Sequence, residues 1–511
     1  MEGPTLFRKS NRLDISTRLA DNERQLQNVL TPADDLFFRR LTLGDHQQVM
    51  LVFLTDLVGK ELLDLAVLQG LFKAKGKTRR WNPTELQQRL IAISEVTMVQ
   101  SLESVVTGLL AGQAVLFIEG HGQALLLDVL SWEHRGVQKT ENEVSLRGSQ
   151  ASFTENLVNN IAQLRRFLPT PDLKVELQSL KSLPRVRYGL VYHQKFAQAS
   201  MVTAVRRRIA NADAEGLLDS GALEEAIRDH PWSPFPTINY TERPDRLAAQ
   251  LLEGKVGIFM ENSPTVLTAP ALFAEFLQVP EDYYQNFLMQ SGIRLLRNLS
   301  LLISLLLPGL YVAIMDFHHE LIPRALYISL AQQRQGVPLP LAMEVFLLEI
   351  FFELLREAGL RLPRPIGQSV SIVGGLVIGE AAVQAHLVMA GTVIMVALTG
   401  IASFVIPGYE MAGALRILRF IFLLFSALLG SVGFVLTFMG VLFHVSSLKS
   451  FEIPYLHGYL PSGLQHVGDV WIRGPHYSPI TPSWHKNKQG IFGGQKGGGR
   501  RWRQWKRERA P

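Results

Sequence analysis

Between Phe420 and Leu448 the chain carries no Asp, Glu, Lys or Arg. A bilayer core is crossed by about 20 consecutive apolar residues in helical form, and the core helix of a soluble protein rarely runs this long without a charge. The stretch reads as a membrane crossing, and it sets the class of the whole molecule. Arg294 and Arg297 precede a second apolar run, Leu301 to Met315, in which Pro308 is expected to kink the helix. A third run, 372–406, carries Glu380 and His386 as its ionisable groups and is long enough for two short spans. The spans are therefore placed at 295–317, 368–387, 388–407 and 418–445. Arg294 and Arg297 on one flank and the tail from Arg500 to Arg509 on the other are both basic. Basic flanks stay on the cytoplasmic side, so an even number of crossings, about four, is expected.

Charge is dense before Gln290 and sparse from Leu295 to Val445, so the first half has the composition of a water-soluble region. Residues 1–40 show no apolar signal-peptide core, and the N-terminal region is expected in the cytoplasm. With no cysteine in 511 residues, disulfides, thiolate metal sites and cysteine nucleophiles are excluded. The net charge of +6 sits largely in the last dozen residues and gives no reason to expect nucleic acid.

Residues 11–30 read as a polar helix. Val49–Leu54 is a strand-length apolar segment, 57–72 has helical spacing, and 84–110 reads as two further helices. Ala114–Ile118 and Gln123–Asp128, joined through Glu119-Gly-His-Gly122, predict a hairpin. A second set follows, with helices at 150–168, 201–212 and 220–228. Its strands are expected at 174–180, 186–193, 255–260 and 265–268. The alternation of elements favours partly parallel pairing. The fold class is thus an α/β soluble N-terminal region of two subdomains, 1–134 and 135–290, plus an α-helical transmembrane bundle, 291–450. A basic Gly/Arg-rich tail, 451–511, reads as disordered and suited to anionic lipid.

Residues 340–358 are apolar but carry Glu344, Glu349 and Glu353, which argues against a lipid-facing span. An interfacial or pore-facing amphipathic helix is expected. Glu349, Glu353 and Glu357 recur every four residues and share one face. They read either as a stripe that attracts cations, or as a wetted face neutralised by Arg356 and Arg361. Glu380 is a further candidate for an ion path, against the reading that it lies near headgroups. Gly375, Gly379, Ala381 and Ala385 have the spacing of close helix packing, and His318-His-Glu320 reads as an interfacial cluster. No triad, metal-helix motif or dinucleotide fingerprint is present, so no enzyme activity, metal or cofactor is expected.

Ordered blocks from Glu141 to Pro454 resemble the A subunit of GerA-type spore germination receptors. They include Glu141-Asn-Glu-Val-Ser-Leu-Arg-Gly148, Phe153-Thr-Glu155, Thr241-Glu-Arg-Pro-Asp245, Asp282-Tyr-Tyr284, and Arg334-Gln-Gly-Val-Pro338. The most specific block is Phe352-Glu-Leu-Leu-Arg-Glu-Ala-Gly359, followed by Arg361-Leu-Pro363. From residue type alone, Thr241 is expected to cap a helix with Pro244 in its first turn. The resemblance implies structural or gating roles for Arg147, Gly148, Glu155, Thr241, Glu242, Arg243, Pro244, Asp245, Arg356, Glu357, Gly359, Arg361 and Pro363. It further implies a nutrient-sensing subunit of the spore inner membrane that oligomerises into a cation-release channel. The implied partners are a permease-like B subunit, a lipoprotein C subunit and further copies of the chain. The chain is also similar in architecture to the stage V sporulation protein AF, and a secondary transporter with a regulatory soluble region is the rival from another class. Glu380 and Ser149 depart from the pattern, where glutamine and proline are usual.

Overall fold

The computed structural model describes residues 14–43, 47–55, 57–73, 80–93, 95–129, 143, 148–181, 184–212, 216–363, 375, 379–457, 459 and 470–471. The chain divides into two compact units: Met1–Asp229 with Ile238–Pro270, and His230–Thr237 with Ala271–Pro511. Arg147, Pro365, Gly367 and most of 364–378, together with nearly all of the basic tail, lie outside the described residues.

The first unit holds two five-stranded sheets. The first comprises β1 (Leu36–Leu43), β2 (Gln47–Leu54), β3 (Val96–Val99), β4 (Ala114–Ile118) and β5 (Ala124–Leu127), in the order β1-β2-β4-β5-β3. The second comprises β6 (Leu173–Ser179), β7 (Arg187–His193), β8 (Asn239–Thr241), β9 (Val256–Met260) and β10 (Val266–Ala269), in the order β6-β7-β9-β10-β8. Every strand pairing within these sheets is antiparallel, which corrects the expectation of partly parallel pairing. Alternation of elements does not give parallel neighbours because the helical segment after β7 leads to β8, which pairs antiparallel with β10 at the far edge of the sheet. In the first sheet, β2 is covered on both faces. Val49, Leu51 and Phe53 enter one core, with Leu71, Trp81 and Leu86, while Met50, Val52 and Leu54 enter another, with Leu26, Val105 and Leu109. A strand covered on both faces reads as a continuous apolar run, which is the usual signature of parallel sheets.

The two sheets share one topology. Helix α1 (Leu19–Leu30) precedes β1 as α3 (Leu157–Phe167) precedes β6. Likewise α2 (Leu102–Leu110) precedes β4 as α6 (Pro244–Leu252) precedes β9. Helices α4 (Ala199–Asn211) and α5 (Ser220–Ile227) fill the interval between β7 and β8. The correspondence reaches single hydrogen bonds. Asn22 holds the Ser16 backbone at 2.8 and 2.7 Å, and Asn160 holds that of Thr154 at 2.7 and 2.5 Å. Ile15 N–H donates to the Gln100 carbonyl as Phe153 N–H does to Glu242. At the β4–β5 turn Gly120 has φ 85°, and at the β9–β10 turn Asn262 has φ 67°. Both backbone N–H groups donate to the segment before the first helix, to Thr17 and Glu155 respectively. The first unit is a tandem of one αββ…βαββ motif.

The two copies are tied through a desolvated seam. Residues 32–34 cover the open edge of β6: Val175 N–H donates to Pro32 O at 3.2 Å, and Asp34 N–H to Val175 O at 3.1 Å. Lys174 Nζ donates to the Val29 and Leu30 carbonyls at the end of α1, the terminus where a cation is favoured. Arg165 grips Asp35 with two bonds, 2.5 and 2.8 Å, both side chains being at most 1% exposed.

The second unit is helical. Helix α7 (Phe287–Val312) continues through a wider turn to Phe317, with Pro308 inside it. Then come Arg324–Arg334, α8 (Leu341–Arg361), α9 (Ala390–Phe404) and α10 (Tyr409–Ser447). Phe287–Phe317 and Tyr409–Ser447 are long and apolar enough to cross a membrane, and Ala390–Phe404 is a shorter apolar helix. Of the expected 368–387 span, residue 375 and residues 379–387 are described, and there the six-residue helix Gly379–Gln384 stops before His386 at φ 51°.

Helix α10 does not run straight. Gly430 adopts φ 60°, ψ −138°, and beyond it the chain folds back. The Phe422 and Phe434 rings lie 5.5 Å apart, whereas twelve residues of straight helix would separate them by about 18 Å. Both ends of the element return to one place: Gly408 N–H donates to Phe276 O, and Ala271 N–H to Ser450 Oγ. The expected single crossing at 418–445 is instead a helical hairpin with arms 409–429 and 431–447. Its tip closes over Phe317, where a Cβ on Gly430 would come within 2.6 Å of the ring, so glycine is required for space as well as for φ.

Candidate functional site: a charged seam in the helical unit

Helix α8 runs alongside α9 rather than lying apart from it. At one end Glu344 Oε2 accepts from Met389 N–H at 3.0 Å and from Thr392 Oγ1 at 3.4 Å, so a buried carboxylate from α8 caps the N-terminus of α9. At the other, Phe352 packs on Gly400 and faces Phe404. The close helix approaches fall here and at Gly309 against Phe422 and Ser426. Among the described residues, nothing lies within 4 Å of a Cβ built on Gly375, and only Val393 lies that near one built on Gly379.

The acids of α8 meet the first arm of the hairpin. Arg419, fully buried, places Nη1 3.1 Å from Glu349 Oε2 and Nη2 2.7 Å from Glu353 Oε1. Arg416 Nη1 lies 3.5 Å from Glu353 Oε2, and Arg356 donates to the same carboxylate oxygen. Glu353 thus receives three guanidinium groups, and Glu349 is buried against one of them. A guanidinium in an apolar helix is tolerated when a partner and a polar pocket accompany it. Here the pocket is built from two helices remote in sequence.

Of the four expected ion-path residues, Glu349 and Glu353 are brought together. Glu357 is exposed on the last turns of α8 and accepts from Arg361 Nε at 2.6 Å. Glu380 is exposed and accepts from Gln384, one turn along its own short helix. Glu349, Glu353 and Glu357 follow one another at four-residue steps along α8, and Glu380 lies on a separate helix. Gly359 lies in the last turn of α8, and Leu362, extended before Pro363, ends the helix. Sequence reasoning missed Arg416, Arg419 and the capping role of Glu344. The signal available was the three-residue spacing of Arg416 and Arg419, which puts both on one helix face. At the start of α7 the expected flanking charges are not free. Asp282 is buried, with Arg297 Nη1 at 2.9 Å and Arg294 Nη2 at 3.3 Å.

Of the family-motif residues of the first unit, Thr241, Glu242 and Arg243 bond to Glu143. Its Oε2 accepts from Thr241 Oγ1 at 2.7 Å and from Glu242 N–H at 3.3 Å, and Arg246 donates to its Oε1. Buried Arg243 donates to Asp245 and to the Glu143 carbonyl. Arg243, not Thr241, is the residue before α6, whose first position is Pro244. Thr241 ends β8, and its hydroxyl accepts from Arg243 N–H. This corrects the expected cap. Gly148 sits at φ 115°, and Glu155 is exposed, engaged through its carbonyl by Asn262.

Comparison with known proteins matches residues 24–481 to the family described as Bacillus/Clostridium GerA spore germination protein. Spore germination protein KA of Bacillus subtilis is 37% identical over 91% of this chain and 86% of its own length. Spore germination protein B1 of the same organism is 36% identical over 91% and 96%. The uncharacterized membrane protein YfkQ, also from Bacillus subtilis, is 38% identical over 91% and 90%. Among solved structures, the N-terminal domain of the A subunit of the Bacillus megaterium spore germinant receptor GerK3 is 27% identical. It covers 52% of this chain and 99% of that one, with a TM-score of 0.41. The chain belongs to the GerA family of spore germination proteins.

Proposed function

We propose that this chain is the non-enzymatic A subunit of a germinant receptor in the spore inner membrane, its α/β unit on the cytoplasmic side. In this reading it assembles with further copies of itself, a permease-like B subunit and a lipoprotein C subunit. Nutrient binding to a partner shifts the assembly from a closed to an open form and releases monovalent cations, which requires the nutrient to favour one form over the other. The observation that carries the reading is the seam of Glu349 and Glu353 against Arg356, Arg416 and Arg419. It is a charged contact between α8 and the first arm of the hairpin, within the helical unit. Closed, the arginines neutralise the two acids; parted, the acids become available to a passing cation. The test is potassium release from germinating spores that carry Glu349→Gln and Glu353→Gln. Altered release supports a gating seam, and unchanged release removes both residues from the cation path.

A further inference from the structure

Eight residues, His230–Thr237, leave the α/β unit in sequence and belong to the helical unit. They read His-Pro-Trp-Ser-Pro-Phe-Pro-Thr, and the three prolines restrict the backbone before any contact forms. Ser233 N–H donates to the His230 carbonyl at 3.1 Å, which makes a tight turn with Pro231 and Trp232 at its tip. After the tip, Ser233 and 235–237 are buried. The Ser233 hydroxyl lies 2.9 Å from His444 Nε2 and accepts from Phe235 N–H. Phe235 packs with Phe273, His444 and Tyr455, and the Thr237 carbonyl accepts from Ser450 Oγ at 2.6 Å. At the exposed tip, Trp232 points outward, 98% exposed.

The depth of that tip is fixed by its anchor. His444 lies in the last turn of the hairpin's returning arm, which ends at Ser447; Lys449, two residues on, is the first formal charge after Arg419. The boundary between hydrocarbon and water therefore falls close to His444, and neighbouring Phe443 is 79% exposed, as a lipid-facing residue would be. An indole is large and apolar with one N–H donor, and tryptophans concentrate where acyl chains meet headgroups. We infer that the His230–Thr237 turn is an interfacial foot that seats Trp232 among the lipid headgroups at the end of the hairpin. The inference rests on the membrane reading of the helical unit. A rigid, preorganised turn holds the indole there without ordering cost on contact.

The chain lacks cysteine, so Trp232→Cys creates a unique thiol in the full-length protein. It is labelled with an environment-sensitive fluorophore after reconstitution into vesicles of mixed zwitterionic and anionic phospholipid. Phe443→Cys serves as the lipid control and exposed Leu218→Cys as the water control. At position 232 the expected result is strong quenching by nitroxide placed near the headgroup, weaker quenching by nitroxide at the chain end, and loss of most of the iodide quenching seen at 218. A probe at 232 that iodide reaches as freely as at 218 overturns the inference. So does a probe shielded from both lipid nitroxide and iodide, which would place a protein over the turn. If the probe at 443 is also blind to lipid nitroxide, the membrane reading fails along with the foot; if it responds while 232 does not, the foot alone fails.

Discussion

Arg165→Met isolates the contribution of the contact that joins the two halves of the α/β unit. Arg165 and Asp35 are bound through two short bonds, and neither side chain reaches solvent. In the substituted protein Asp35 keeps its burial but loses its cation. Breaking a buried pair from one side costs about 3–5 kcal/mol, because the remaining charge is desolvated and uncompensated. In a unit of this size 1 kcal/mol moves the midpoint by about 2–4 °C, so a fall of about 6–20 °C is expected in the melting of the α/β unit. The double replacement Asp35→Leu with Arg165→Met removes both charges and should recover most of the loss. Thermal unfolding of the full-length protein in detergent gives the midpoints, and hydrogen exchange in peptides from α1 and β6 reports whether the seam has opened. A fall of less than about 2 °C for Arg165→Met, or a double variant as unstable as the single one, would refute the argument that the pair is desolvated.

Two further outcomes follow from particular residues. Because α10 reverses at Gly430, Tyr409→Cys and Ser447→Cys should react with a membrane-impermeant maleimide from the same side of sealed vesicles; reaction from opposite sides would restore a single crossing. His193, buried at the end of β7, has its pKa lowered chiefly by burial, with Asp172 acting the other way. The unfolded chain then binds more protons than the folded one at mildly acid pH. The stability tied to keeping this imidazole neutral is complete above the unfolded value, about 6.5, and is lost as pH falls through the lower folded value. The pH dependence of unfolding between about pH 7 and pH 5 should be shallower in His193→Gln than in the parent, and equal slopes would contradict it.

How much of this was legible depended on how local each signal is. The β4–β5 hairpin was legible because Gly120 and Gly122 punctuate two apolar runs. The helices after it were legible from their spacing. Strand β3 is four residues long between helical patterns, and β1 carries Arg39 and Arg40 at its centre, so neither stood out. The tandem of αββ…βαββ motifs was hidden because its copies share bonding pattern and not sequence: Gln100-Ser101-Leu102 stands where Glu242-Arg243-Pro244 recurs. In the helical unit the acids of α8 announced themselves by their four-residue spacing. Their arginine partner Arg419 lies 66 residues from Glu353, and only tertiary packing joins them. The reversal at Gly430 did not stand out either, since a lone Gly-Ser step inside a long apolar run also occurs in straight membrane helices, where glycine is frequent.

The most direct test of the gating seam is potassium efflux from spores in which Glu353→Gln replaces the parent residue, with exposed Glu357→Gln as the control. Without the Glu353 carboxylate, Arg356, Arg416 and Arg419 are left with Glu349 as the sole acid of the seam, and the contact between α8 and the hairpin weakens. The account predicts earlier potassium release at lower nutrient concentration for Glu353→Gln and parental behaviour for Glu357→Gln. Efflux from Glu353→Gln spores with parental onset, rate and nutrient requirement would contradict it.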